Sequence, residues 1–586
     1  MLFVCAVPGS AGASATLPML LLETESNGGY LNYHLTDSAT GAQVTLSSAA
    51  AAAGGPRRTE AQLPTAYDAR SAGVVTGVRN QGATGACWAF STLAALESDA
   101  IAGGFADLTA DYSEAHLAWF ANHALVTDTA DGTCGDDYTV DEPYMTGGNW
   151  LIATSELSRW GGIARESSFP YAPYSASTMG NYAAADRYTT DSGAVIRSAE
   201  ELSSAAAIKQ WILTHGAVTA TIYMDDENYE YNSAYYYNGT ESPNHQITLI
   251  GWDDSYSAAN FKQGCRPAVN GAWLVKDSWG TYFHNRGYFW LSYADVSLCN
   301  TVGFTAQSTE AYQYNYTYNG AGWNASLTPT GNSKVANVFR AKSKELLQAV
   351  AFYTVMPAQT VTISVYSLYS TYNSPVRGSP LLTQTLTLTN AGYHTVDLNA
   401  AIPLAAGSYF SVVIEYTAMY NSDYNASIAV IPVEYNGMDD GRTYASQSKQ
   451  SYAYIPSFSG NNSWYQLSAF DSGLCNVCVQ ALTSCDHAWS VTQVDATCEE
   501  DGYTDAVCSR CGKTVHTVFP ALGHDFGAWS AYALSTPGYR ESHRTCAVCG
   551  FVENRTVSTG ARVVTLPQLL EMLFDVWHTA LKNLLC

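Results

Sequence analysis

The ten residues Gln81 to Phe90, QGATGACWAF, constrain this chain most, because they set one cysteine between a glycine-rich loop and an apolar run. Cys87, Phe90, Ala94 and Ile101, with Leu93 and Leu96 beside them, recur at three-to-four spacing, which predicts a helix with one buried stripe beginning at Cys87. The unsatisfied N–H groups at a helix start favour negative charge, so a thiol placed there is poised to become a thiolate. Free cysteine is also among the most buried residue types, and on position alone a small core hydrophobe explains Cys87 as well as chemistry does.

Distant segments tilt the balance. A thiolate nucleophile needs a base, and the base needs an orienter; both commonly lie far along the chain. His245 opens the β-branched run HQITLIGWD, and GAWLVKDSWG (residues 271–280) is a second short apolar strand that ends on Asp277, with Trp279 just beyond.

In this order, residues 63 to 298 resemble the papain family of cysteine peptidases. Leu63 to Arg70 looks like the family's mature start, and Ser113 to Leu117 like the start of its second helix. Gly147-Gly148-Asn149 looks like the glycine pair whose backbone binds extended substrate, and Gly287 to Tyr293 like the closing strand. Several ordered motifs are far more specific than one match. The resemblance implies an α+β, papain-like two-lobed peptidase, a helical lobe plus a β-barrel-like lobe meeting at a cleft. It implies that Cys87 attacks the scissile carbonyl, that His245 is its imidazolium partner, and that Gln81 with the Cys87 N–H forms an oxyanion hole. Gly147, Gly148 and Trp279 would line the substrate site, Trp279 shielding the bond that orients His245. Ala217, Val218 and Tyr235 to Tyr237 fall near the expected second specificity subsite. Substrates would be proteins or peptides, and catalysis would need no cofactor.

One position departs from the family: Asp277 stands where asparagine is usual. A carboxylate favours the charged imidazolium electrostatically, so Asp277 is expected to raise the pKa of His245 and extend activity to higher pH. The competing reading is a catalytically degenerate scaffold serving as a surface adhesin or glycan-binding protein. Cys134, Cys265 and Cys299 also lie in this region, and Cys265 with Cys299 is a candidate disulfide.

At 586 residues several domains are expected. Lys plus Arg total 27 against 51 acids, a net charge of −24, which argues against nucleic acid as a partner. Residues 1–15 read as a truncated signal peptide, apolar with a small-residue site at Ala13-Ser14-Ala15 but no basic start. Residues 16–62 read as a short pro-segment or linker, in which Arg57-Arg58 is a candidate cleavage site. The peptidase domain is placed at 63–300. No run reaches the roughly 18 apolar residues of a membrane span.

Beyond residue 301 the pattern changes to alternating strands: Leu346 to Val355, Thr360 to Tyr366, Leu382 to Leu388, Tyr393 to Leu398, Tyr409 to Tyr416 and Ala426 to Val433. That spacing predicts an antiparallel β-sandwich over 305–482, which resembles the lectin-like domain of bacterial and archaeal papain-like peptidases and implies cell-wall or host glycans as partners. Residues 485–556 hold small Cys/His modules, a repeat of about 38 residues in which His487 matches His524, and Cys508-x-x-Cys511-Gly512 matches Cys546-x-x-Cys549-Gly550. Two readings stay open: structural zinc held by His487, Cys508, Cys511 and His524, with Cys498 a competing ligand and with Cys546 and Cys549 in a second set that needs His524 or His543 plus another, or disulfides, which the spacing of Cys485 and Cys498 also fits. The repeat resembles those at the ends of Gram-positive cell-surface proteins, so a secreted or cell-surface location is expected. Residues 562–586 close as an amphipathic helix starting at Pro567.

Overall fold

The computed structural model describes residues 18–44, 46, 63–123, 139–159, 162–173, 179–187, 192–309, 311–320, 322–368, 374–436, 443–456, 463–560 and 564–582. The expected signal peptide, Arg57-Arg58 and Cys134 lie outside the described residues. Two compact units result, Met1–Asp486 and His487–Cys586.

The first unit is built around helix α1 (Cys87–Ala102). It is buried from Cys87 through Ala100, not along the single expected stripe, because it has neighbours on every side. Helices α2 (Glu114–Ala121) and α3 (Trp150–Leu157), with α4 (Ala205–His215), pack on it, as do the strands His245–Asp253 and Cys299–Gln307. Its buried polar residues are therefore paired: Glu97 accepts from the Tyr112 N–H at 3.0 Å, and Asp99 meets His215 Nδ1 and the Ala306 N–H, each at 2.6 Å. Helix starts are capped, α2 by Ser113 and α3 by Asn149, whose Oδ1 accepts from Leu151 and Ile152.

Opposite the helices lies an antiparallel run of strands, Val218–Ile222, His245–Asp253, Ala272–Lys276 and Tyr288–Ser292 in spatial order. On the far side of Val218–Ile222 come Cys299–Gln307 and Ser192–Glu201. There the sheet does not end. Gly392–His394 pairs with Ser198–Glu200, so this sheet continues into a face of the β-sandwich through Gly392–Leu404, Glu345–Thr354 and Val479–Cys485. The facing sheet runs Leu382–Leu388, Gln359–Leu368, Tyr409–Tyr416, Ser333–Arg340 and Ser451–Tyr454. Between the two faces lies a core of Val335, Phe339, Leu347, Ile363, Phe410, Ile414 and their neighbours. The expected strand Ala426 to Val433 is two strands, Ala426–Ile428 and Ile431–Tyr435. The chain changes partner between them, from Met419–Asn421 to Ala325–Leu327.

Within the segment read as a pro-segment or linker, β1 (Met19–Asn27) and β2 (Tyr30–Asp37) form a hairpin. Its first strand adds to Ala325–Leu327 of the sandwich. Its tip, Gly28-Gly29, points at α1, with Gly28 at φ +61° as a tight turn requires.

The second unit is two three-stranded meanders: Trp489–Val494, Gly502–Cys508 and Thr514–Phe519, then Ala533–Thr536, Tyr539–Thr545 and Val552–Ser558. The terminal helix spans Leu566–Lys582 and is exposed along its whole described length. No described helix is long and apolar enough to cross a membrane.

Candidate active site

Cys87 is the first residue of α1, where the helix dipole favours negative charge, and Ala86 at the N-cap brings no side chain to cap the first turn. Ser91, one turn on, donates to the Ile247 carbonyl at 2.6 Å and ties α1 to the strand that His245 opens. Thr248 pairs with Lys276 in the next strand, which brings Asp277 beside the start of the histidine strand. His245 Nε2 then lies 2.8 Å from Asp277 Oδ1, both groups buried. With Nε2 committed, the hydrogen bond between His245 and Cys87 uses Nδ1.

Burial pushes the His245 imidazolium down, but the charge and hydrogen bond of Asp277, reinforced by Cys87, outweigh it and raise its pKa to about 10. Burial also works against the Asp277 carboxylate, yet His245 and a second histidine hold its pKa well below the usual carboxylate range. That second histidine is His284, whose Nε2 lies 3.0 Å from Asp277 Oδ2 and whose Nδ1 lies 2.9 Å from Glu230 Oε2. Two ionised carboxylates only accept, so both ring nitrogens of His284 must donate and the ring is an imidazolium. Against its burial, the bonds to Asp277 and Glu230 raise its pKa to about 9. His284 sits at φ +51°, in the left-handed region that few non-glycine residues adopt and that histidine tolerates better than most, and the loop presents its ring from there. Trp279 covers both imidazoles, its ring 4.8 Å from His245 and 5.9 Å from His284.

Gln81 reaches the same site. Its Oε1 accepts from Ser278 Oγ at 2.6 Å and its Nε2 donates one proton to the Thr84 carbonyl at 2.9 Å, which fixes the amide and leaves a second N–H. Cys87, Gln81, His245, Asp277 and Trp279 are thus brought together. Gly148 lies against the Trp88 indole, where a Cβ would fall 2.4 Å from a ring carbon.

The cleft is filled by the chain itself. The Cys87 thiol donates to the Gly29 carbonyl at 3.3 Å, the Leu31 N–H donates to the Gly148 carbonyl at 3.0 Å, and Asn149 Nδ2 donates to the Leu31 carbonyl at 3.1 Å. Gly147 packs on Gly29, so both expected substrate-site glycines touch the hairpin. Tyr30 is buried, and its hydroxyl accepts from Asn300 Nδ2 at 3.0 Å. Asn300 in turn reaches Thr221 Oγ1 at 3.3 Å. By contrast Ala217 and Val218 have almost no accessible surface, since Val218–Ile222 is an interior strand, and Tyr235 and Tyr237 are core residues too, while Tyr236 is half-buried.

His284, Glu230 and the hairpin escaped sequence reasoning. His284 stands in a loop with no periodicity, and the reach of β2 to Gly148 is set by a strand pairing across the whole domain.

The other cysteines sort differently from expectation. Cys265 and Cys299 are both free: Cys265 donates to the Tyr236 carbonyl, and Cys299 lies 3.1 Å from Thr221 Oγ1. In the second unit His487 Nδ1 lies 3.4 Å from Cys511 Sγ, with Cys508 in the same cluster. His524 does not join them. It clusters with Cys546, Cys549 and Cys498, because the segment Ala521 to His524 runs beside the loop Thr497 to Asp501 between the first two strands of the first meander. Clusters of this kind can hold a metal ion.

Residues 63–311 match the family model for papain family cysteine proteases, and residues 315–483 that for the lectin-like domain. Mouse cathepsin K is 26% identical over 254 residues, 42% of this chain and 65% of that protein; cathepsin L of Sarcophaga peregrina is 28% identical over 252 residues, 42% and 64%. The chain thus spans about 65% of the length of these curated relatives. A solved structure of the cysteine protease and lectin-like domains of Cwp84, a surface layer associated protein of Clostridium difficile, superposes with TM-score 0.63 at 22% identity, covering 81% of this chain and 100% of that one. A structure of the clostridial cysteine protease Cwp84 after propeptide cleavage gives TM-score 0.60 at 24% identity, covering 72% and 99%. At these identities the likeness is one of fold.

Proposed function

From a chain whose residues 63–311 are a papain-family cysteine protease domain and whose residues 315–483 are a lectin-like domain, we propose a cell-surface cysteine endopeptidase made as a self-blocked precursor. The observation that carries this reading is the coupling of Cys87 to His245 and Asp277 at the floor of a groove that already accommodates a peptide backbone. In the reaction the Cys87 thiolate attacks the carbonyl carbon, and the second N–H of Gln81 with the Cys87 N–H receives the charge that develops on oxygen. His245 gives its Nδ1 proton to the leaving amine, forming a thioester, and then takes a proton from the water that hydrolyses it. Asp277 keeps the ring oriented and charged until that proton is needed. Asp277 in place of asparagine therefore supports a working site with a wide pH range, and the scaffold-only reading is not favoured.

The hairpin supplies the block. Cys87 meets the oxygen of the Gly29 carbonyl, so β2 lies in the groove without offering a scissile bond, and the segment between β2 and Leu63 is where processing would free the cleft. Tyr30 stands in for a substrate side chain, which supports a preference for an aromatic residue, tyrosine above all, in the pocket bounded by Thr221 and Asn300. The lectin-like domain supports attachment to a glycan of the cell surface, in keeping with the surface-layer association of Cwp84.

The test is labelling with an epoxide inhibitor of papain-like enzymes, before and after limited proteolysis between residues 38 and 62. Label on Cys87 and hydrolysis of denatured casein, both stronger after the cut and both lost in Cys87→Ala, are expected. A processed, folded protein with neither would overturn the enzyme reading.

A further inference from the structure

The Cys/His repeats play no part in the chemistry of the cleft, and their architecture asks for something a protein core does not supply. The outer strands Trp489–Val494 and Thr514–Phe519 of the first meander are exposed at every residue, and so is Ala533–Thr536 of the second. Units this small and this open need a staple. The buried side chains here include the sulfurs of Cys498 and Cys546.

We propose that Cys498, His524, Cys546 and Cys549 form a zinc site that joins the two repeats, the first repeat lending Cys498 to the second. The ligand atoms lie within 4.8 Å of one another. Cys498 Sγ and Cys546 Sγ are 3.8 Å apart. A disulfide requires about 2.05 Å, whereas two sulfurs each about 2.3 Å from a tetrahedral zinc stand about 3.8 Å apart. Cys549 Sγ and His524 Nδ1 are 3.3 Å apart, close to the corresponding sulfur–nitrogen edge of about 3.5 Å.

The second observation concerns the other nitrogen of the ring. His524 Nε2 donates to Glu499 Oε1 at 3.2 Å, which leaves Nδ1 as the lone-pair nitrogen and points it at the sulfurs. A carboxylate behind a ligating histidine is the common way its tautomer is chosen and its basicity raised. Glu499 directly follows Cys498, so one short turn provides both a ligand and the group that orients another. Backbone bonds hold that turn in place: the Leu522 N–H donates to the Thr497 carbonyl at 2.9 Å, and the Ala521 N–H donates to Asp501 Oδ1 at 2.7 Å. Phe551 stacks on the His524 ring at 4.8 Å and closes the other side.

The two repeats therefore share this site, and His524 belongs to it rather than with His487, Cys508 and Cys511. Where the first repeat has Cys498 ahead of Gly502-Tyr503, the second has Ser535-Thr536 ahead of Gly538-Tyr539, so the second repeat has no cysteine to lend onward. Binding a zinc ion displaces the three thiol protons and leaves a centre of net charge −1 with neutral histidine.

The experiment is metal analysis of the full chain expressed with added zinc, compared with Cys498→Ser and His524→Ala. Each variant should hold one zinc equivalent less than the parent, while casein hydrolysis by the processed enzyme is unchanged. Cobalt in place of zinc should give the sulfur-to-metal band and the visible bands of a tetrahedral site, weakened in both variants. Should a variant fail to fold, the parent alone decides: a chelator should make Cys498, Cys546 and Cys549 alkylate together. Equal zinc in parent and variants, a disulfide among these cysteines by non-reducing mass analysis, or alkylation indifferent to the chelator would each overturn the site.

Discussion

His284 donates from Nε2 to Asp277 Oδ2 at 3.0 Å, taking the carboxylate oxygen that His245 leaves unused. Asp277 is thereby held between two histidines, and Glu230 anchors the outer one. An asparagine at this position could not serve both rings in this way, because only one of its two terminal atoms accepts. The aspartate and the second histidine therefore explain each other: a buried carboxylate needs donors on both oxygens to offset its burial, with His245 and the Ser278 N–H on Oδ1 and His284 on Oδ2, and His284 needs two acceptors.

Replacing Asp277 by asparagine removes the charge that keeps His245 protonated up to about pH 10. The folded-state pKa lies above the unfolded value of about 6.5, so the ion pair is fully present below that value and is lost as pH rises through the folded one. The alkaline limb of kcat/KM against pH is expected to move down in Asp277→Asn. A limb that stays where it was would show that Asp277 does not set the charge of His245.

Truncating His284 to alanine leaves Asp277 Oδ2 buried without a donor, a loss of about 1–3 kcal/mol. Because the carboxylate orients His245, kcat is expected to fall on the order of ten- to a hundred-fold with KM little changed, and His284→Gln, which restores a donor, should recover part of it. Steady-state kinetics on the processed enzyme, with unfolding curves as control, separates this from a general loss of stability. In the parent, the His284 contribution to stability should fade as pH rises through about 9.

A side chain at Gly29 would begin 3.0 Å from the Cα of Gly85 and 3.2 Å from its carbonyl carbon, backbone atoms that cannot swing aside. Gly29→Val should therefore lift the hairpin tip from the cleft. The unprocessed chain is expected to take up epoxide label several-fold faster than the parent, while the processed forms react alike.

Asn300 donates to the Tyr30 hydroxyl, so a pocket built this way should distinguish tyrosine from phenylalanine. A neutral hydrogen bond contributes about 0.5–1.5 kcal/mol, roughly two- to tenfold in kcat/KM. Peptide pairs that differ only in that hydroxyl are expected to show this ratio in the parent and to lose it in Asn300→Leu.

Much of the site was legible in order along the chain. Cys87 at a helix start, His245 at a strand start and Asp277 at a strand end are each marked by local pattern, because helix and strand periodicities declare where an element begins and stops. Six sandwich strands were legible for the same reason, apart from the break at Ala429-Val430, where the run stays apolar while the backbone changes sheets. The one-stripe expectation for α1 failed because Glu97, Ser98 and Asp99 look solvent-facing in sequence and are buried only through partners far away.

The sequence by itself determined the places of Cys87 at a helix start, His245 and Asp277 at strand ends, and the Cys-x-x-Cys pairs, since each is a residue type at a local spacing; the roles expected of the first three came from the resemblance that their order along the chain carries. Only the tertiary structure decided what stands behind and in front of them: His284 behind Asp277, the Gly29 tip over Cys87, Tyr30 in the pocket of Asn300, and Cys498 beside His524. These relationships join residues tens to hundreds of positions apart. They arise from sheet register and loop closure, which bring side chains to hydrogen-bonding or ligand distance without leaving a periodic trace in the chain.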